Sequence, residues 1–131
     1  MTQEKYYPRP GDLIEIKRLG YQHWALYVGC GYVIHVTAVD ESAAPVSASS
    51  ATLLTRRAKV KKDVLKEVAG DDDWGVNNKY DHYRTPFSME EIVRRAERWI
   101  DVVVPYHLFL SNCEHFVTML RYGEAVSEQV S

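Results

Sequence analysis

Along the chain, apolar and polar positions alternate with strand-like spacing in the first half and with helical spacing in the second. Leu13-Ile14-Glu15-Ile16, β-branched and partly alternating, predicts a short strand after the Gly11-Asp12 turn. His23-Trp24-Ala25-Leu26-Tyr27-Val28 and Tyr32-Val33-Ile34-His35-Val36 predict two more strands. The Gly29-Cys30-Gly31 loop between them predicts an antiparallel hairpin in which Val28 pairs with Tyr32. Arg57-Ala58-Lys59-Val60-Lys61 alternates basic and apolar residues, as a strand with one solvated face does. Val64 to Ala69 predicts a short helix stopped by Gly70, Asp71 to Asp73 an exposed acidic turn, and Trp74 to Tyr83 a further strand interrupted at Asn77-Asn78.

Two capping boxes open the helical half. Ser88 and Glu91 stand at S-x-x-E before a stripe of Met89, Ile92, Val93, Ala96, Trp99 and Ile100, which reads as core. After the extended Val102-Val103-Val104-Pro105, Ser111 and Glu114 repeat the spacing, and Cys113, Phe116, Val117 and Leu120 fall on one helical face. Arg121 in the last turn and Gly123 beyond it predict the end of that helix. The length predicts one domain, residues 1–131, with a flexible arm at 1–8 and a mobile Ser/Ala-rich loop at 40–52.

Composition narrows the partners. At 131 residues, with 46% hydrophobic and 26% charged positions, the chain is an ordinary globular domain with one core. A net charge of -2 argues against nucleic acid, whose phosphates demand a basic excess. Two cysteines, Cys30 and Cys113, are few for a small secreted domain, so free thiols in a reducing compartment are expected. The polar, proline-containing start predicts no signal peptide, and no run approaches the roughly 18 apolar residues of a membrane span. The cluster Arg56, Arg57, Lys59, Lys61, Lys62 and Lys66 is either a solvated surface or a contact for lipid headgroups.

The chemistry gathers on Cys113, His23 and His35. A cysteine on the first turn of a helix lies at the positive end of its dipole, which favours thiolate, the nucleophilic form. The bland alternative is a small buried packing residue. In the predicted hairpin register His35 lies opposite Ala25, so both histidines point to the same side, roughly 5–8 Å apart at their roots. Two adjacent imidazoles on one sheet face are unusual core packing, and a thiol nucleophile needs a base within hydrogen-bond reach and a third group to hold its tautomer. Arg18 and Tyr21, just before His23, and Trp24, just after it, are candidates for oxyanion, phosphate or substrate contact, or else surface and packing residues. His115 lies about 200° around the helix from Cys113 and reads as structural, as do His82 and His107.

Three blocks carry a family resemblance: Arg9-Pro10-Gly11-Asp12-Leu13-Ile14-Glu15, Tyr21-Gln22-His23-Trp24-Ala25-Leu26-Tyr27-Val28-Gly29, and Asn112-Cys113-Glu114-His115-Phe116-Val117 with Arg121-Tyr122-Gly123. The sequence resembles the HRAS-like suppressor, or phospholipase A and acyltransferase, family, related to lecithin retinol acyltransferase, from about Pro8 to about Gln129. The resemblance implies an α+β class, a circularly permuted NlpC/papain-like fold in which an antiparallel sheet packs against helices, with the nucleophile at a helix N-terminus. It implies Cys113 as nucleophile, His23 as general base and His35 as the residue orienting it, a position that is Asn in some members. It implies cleavage of the sn-1 or sn-2 ester of a glycerophospholipid through a Cys113 thioester. The acyl group then passes to water, to the amine of phosphatidylethanolamine, or to a lysophospholipid. With a neutral histidine as third member, the imidazolium is expected to gain less support than a carboxylate would give.

A monomeric, cytoplasmic, peripherally membrane-associated enzyme that uses no metal or cofactor is the expectation that results. Many members carry an apolar C-terminal anchor, and the sequence here stops at Ser131 without one. Two other classes remain. A non-catalytic, membrane-associated interaction module could use the same fold. A zinc site on His23, His35 and Cys113 is chemically feasible, though no close ligand pair such as Cys-x-x-Cys supports it.

Overall fold

β-branched and aromatic residues at alternate positions need a sheet with two covered faces. The computed structural model, which describes residues 7–38, 57–105 and 113–126, builds one. Its strands are β1 (Leu13–Arg18), β2 (Tyr21–Gly29), β3 (Tyr32–Ala38), β4 (Arg57–Val64), β5 (Trp74–Val76) and β6 (Val103–Pro105). They form an antiparallel sheet in the order β5-β1-β2-β3-β4-β6. The helices are α1 (Leu65–Ala69), α2 (Met89–Glu97) and α3 (Cys113–Tyr122), with a short 3-10 turn at Lys79–His82. This is the expected α+β class. The arm's residues 1–6, the loop 40–52, Arg56, His107 and the Ser111 cap lie outside the described residues.

Strand alternation divides the core between the two faces. Leu13, Trp24, Leu26, Ile34, Val36 and Val60 meet Ile92 and Ala96 of α2 and Phe116, Val117 and Leu120 of α3. Ile14, Ile16, Ala25 and Val33 point the other way, onto Leu65 and Ala69 of α1. The apolar face expected of α3 is buried as expected, and Gly123, at φ 88°, closes it with an N–H donated to the Met119 carbonyl at 2.9 Å.

The β2–β3 hairpin is tighter than expected. Gly29, not Val28, pairs with Tyr32, and the loop is the two residues Cys30 and Gly31, both left-handed at φ 55° and 86°. Those angles suit the two-residue turn that matches strand twist. A bulge at Val28 absorbs the slip, so Tyr27↔Val33 and Leu26↔Ile34 keep the expected register.

Other boundaries differ for physical reasons. Ser88 Oγ accepts from Glu91 N–H at 3.2 Å, but the Glu91 carboxylate turns to Arg94 at 2.6 Å instead of completing the box. Met89, expected in the core, is 47% exposed, because it lies on the first helical residue, beyond the reach of the sheet. Trp99 and Ile100 pack on the core from the turn after α2, not from the helix itself. The acidic turn is not idle: Asp72 pairs with Arg18 at 2.6 Å. The Trp74 to Tyr83 stretch yields the three-residue β5 and then the 3-10 turn.

Arg121 seats α3. Its NH1 donates to the Gly11 carbonyl at 2.7 Å, while Nε and NH2 grip Asp81 at 3.1 and 2.7 Å, and Tyr122 donates to the same carboxylate at 2.7 Å. One buried guanidinium thus ties the last helix to the entry of β1 and to the 3-10 turn. Arg121→Met keeps the apolar stem but strands the Gly11 carbonyl and Asp81. Urea unfolding should show a loss of about 2 kcal/mol; an unchanged midpoint would mean that the pin contributes nothing.

Candidate active site

The hairpin brings the two histidines together on the α1 face. His23 pairs with Ile16 across β1–β2, and His35 pairs with Lys61 across β3–β4. His23 Nε2 lies 2.9 Å from His35 Nδ1, the rings edge to face with centroids 5.1 Å apart. His35 Nε2 in turn lies 2.8 Å from Asp63 Oδ2. A carboxylate only accepts, so His35 carries its proton on Nε2. Its Nδ1, bare in the neutral ring, accepts from His23 Nε2–H. That leaves His23 Nδ1 as the bare nitrogen of the neutral ring.

Both rings are held neutral. Burial, followed by the charges of His35 and Arg18, lowers the His23 pKa from 6.5 to about 3. Burial also lowers His35, outweighing the hydrogen bond and charge of Asp63 that pull it upward.

Cys113 approaches from the other face. The Tyr27 N–H goes to the Asp12 carbonyl on the β1 side, so the N–H groups of Leu26 and Trp24, by alternation, point toward β3. The β2–β3 ladder stops at Leu26↔Ile34, and the next N–H in that row, of Trp24, donates to Cys113 Sγ at 3.3 Å. The thiol faces the Gln22 carbonyl at 3.9 Å. The sulfur therefore sits where the ladder opens, against the two residues that flank His23.

The helix-start expectation for the thiol is reversed here. Cys113 is 7% exposed, and burial pushes its pKa above the ordinary value of 9.0. The N–H groups of Trp24, Cys113 and Glu114 pull it down, and the Glu114 charge pushes it up. Desolvation outweighs the dipole, which favours the neutral thiol.

The remaining candidates scatter around this centre. Arg18 donates from NH1 to Asp72 at 2.6 Å and from NH2 to the Val68 carbonyl at 3.1 Å, yet its charge still acts on both histidines. Tyr21, its partner across the β1–β2 turn, is 60% exposed. The Trp24 side chain is buried in the core with Lys79 Nζ 5.7 Å from its ring. His82 is exposed and His115 half-buried. Cys30, on the exposed hairpin turn, and Cys113 are both free thiols. Among the described residues no group of three or more His, Cys, Asp and Glu side chains could hold a metal ion, and no helix is long and apolar enough to cross a membrane.

Asp63 is the member that sequence reasoning missed. It stood in the Lys61-Lys62-Asp63 run as a break in a basic cluster. The only signal was an acid two residues on from Lys61, and its meaning depends on Lys61 pairing with His35.

Comparison with known proteins places the chain in a family. The profile of a family described as "Lecithin retinol acyltransferase" matches residues 6–126. The chain is 53% identical over 125 residues to human "Phospholipase A and acyltransferase 1", covering 95% of this chain and 73% of that protein. It is 52% identical over 124 residues to human "Phospholipase A and acyltransferase 2", covering 95% and 76%. Mouse "Phospholipase A and acyltransferase 3" is 52% identical over 123 residues, covering 94% and 76%.

The depressed His23 pKa has a sign that stability measurements can check. Between about 3 and 6.5 the unfolded chain binds a proton at His23 that the folded chain refuses. Stability should therefore fall as pH drops below 6.5. His23→Gln should flatten that fall, measured as urea midpoints at about pH 7.5 and about pH 5. Parallel falls in both proteins would place the acid sensitivity elsewhere.

Proposed function

Since the chain belongs to the lecithin retinol acyltransferase family, we propose that it is a thiol-dependent phospholipase A and acyltransferase acting through a Cys113 acyl-thioester. The observation that carries this reading is the seating of Cys113 Sγ on the Gln22 carbonyl and Trp24 N–H, either side of a His23 already hydrogen-bonded through His35. In this reading residues 1–131 are one catalytic domain of circularly permuted NlpC/papain type. The chain acts as a monomer on phospholipid at a membrane surface.

The mechanism starts from neutral partners. As the sulfur attacks the sn-1 or sn-2 ester carbonyl, its proton passes to His23 Nδ1. The new imidazolium is held through Nε2–H by His35. Backbone N–H groups already directed at the sulfur, those of Trp24 and the first turn of α3, are the candidates to hold the oxyanion. The imidazolium then returns its proton to the departing lysophospholipid oxygen as the C–O bond breaks, leaving acyl-Cys113. An incoming water, phosphatidylethanolamine amine or lysophospholipid hydroxyl gives up a proton to His23 as it attacks the thioester. The thiol is regenerated as fatty acid, N-acyl lipid or O-acyl lipid leaves. Burial favours transfer over hydrolysis only as far as the site excludes water.

Intact mass spectrometry after mixing with a short-chain phosphatidylcholine tests this directly. The wild type should gain one acyl mass and Cys113→Ala none. Fatty acid release should fall by about a thousandfold or more in Cys113→Ala and in His23→Gln. Undiminished release by Cys113→Ala would remove the thioester and favour a non-catalytic module with a contaminating lipase.

A further inference from the structure

A histidine in third place can orient a base, but its neutral ring brings no charge to hold the proton that the base acquires. In this chain a charge stands one step further along. Asp63 Oδ2 is 2.8 Å from His35 Nε2, on the strand next to β3 and on the same sheet face. Its side chain is 36% exposed, while the His35 side chain between it and His23 is almost wholly buried. Resting on the reading of Cys113 and His23 as nucleophile and base, we propose that Asp63 is a positioning residue that makes the site a four-membered line, Cys113–His23–His35–Asp63.

Two consequences follow from where the protons must be. With the carboxylate at Nε2, His35 can only present a bare Nδ1 to His23, and His23 can only present a bare Nδ1 to the thiol. Without it, His35 can carry its proton on Nδ1 instead. His23 must then bare its Nε2 and carry its proton on Nδ1, so the base becomes a donor and cannot take the thiol proton. The carboxylate thus sets which nitrogen of a ring it never touches is basic.

The second consequence is charge. Arg18, on the same face, opposes protonation of both histidines and is itself paired with Asp72. Asp63 is the acid that acts in the other direction on His35. When a proton arrives on His23 during attack, the Asp63 charge stabilises it through the polarised His35 ring. This is an effect on the transition state more than on substrate binding, and it therefore belongs in kcat.

The test is steady-state release of fatty acid from short-chain phosphatidylcholine by the full chain. Asp63→Asn should lower kcat by at least about tenfold and Asp63→Ala by about a hundredfold, with KM within about twofold. Asp63→Glu, which restores the carboxylate, should recover kcat to within about threefold of wild type. A residue that acts through His35 should also lose its effect when His35 is changed. In a His35→Asn background, Asp63→Asn should cost nothing further.

Full kcat in Asp63→Asn, a Glu variant no better than Ala, or an undiminished loss in the His35→Asn background would each overturn the proposal. Cys113→Ala and His23→Gln run alongside. If they are inactive while Asp63→Asn is fully active, only the role of Asp63 fails. If they retain activity, the catalytic reading fails and the Asp63 role with it.

Discussion

The hydrogen bond from the Trp24 N–H to Cys113 Sγ is the contact on which the site depends. A buried backbone donor needs an acceptor, and in a continuous hairpin the facing strand would supply one. Here β2 and β3 part after Leu26↔Ile34, and the donor is satisfied by sulfur from a helix on the opposite face. The opening of the ladder thus has a partner and is stable. It is also the place where a side chain from one face can lie beside side chains that belong to the other. The two faces of the sheet meet chemically at this point.

Holding that opening requires α3 to be seated at both ends. Phe116, Val117 and Leu120 bury its apolar face against the sheet, and Arg121 fixes its far end to Gly11 and Asp81. The Gly11 segment leads directly into β1, which pairs with the His23 strand. Cys113 and His23 are therefore referred to the same backbone, which keeps their relation when side chains elsewhere relax. The electrostatics follow from this burial. A thiol and two imidazoles removed from water all favour their neutral forms, and on the proposed mechanism proton transfer therefore awaits a substrate carbonyl.

Much of this was legible in the sequence because the relevant patterns are local. The period-two alternation of β2 and β3 placed His23 and His35 on one face. The helical spacing of Cys113, Phe116, Val117 and Leu120 identified the buried face of α3. What was not legible depends on distant or lateral relations. Asp63 acquires meaning only when β4 pairs with β3, across a segment whose length says nothing about register. The opening of the ladder depends on which way backbone N–H groups point, which side-chain type does not report. The thiol was assigned the wrong direction of shift because the dipole of a helix start is visible in sequence and the depth of burial is not. Met89 was misjudged for a similar reason: helical spacing names a stripe but not where the sheet beneath it ends.

The most direct measurement of the central claim is the protonation of the two rings, His23 and His35, read from histidine ¹⁵N chemical shifts by NMR near neutral pH. The line ending at Asp63 requires His35 protonated on Nε2 and bare on Nδ1, and His23 likewise protonated on Nε2 and bare on Nδ1. Those assignments would place a basic nitrogen free for the Cys113 proton. A His23 found protonated on Nδ1, or a doubly protonated His23–His35 pair, would contradict the account.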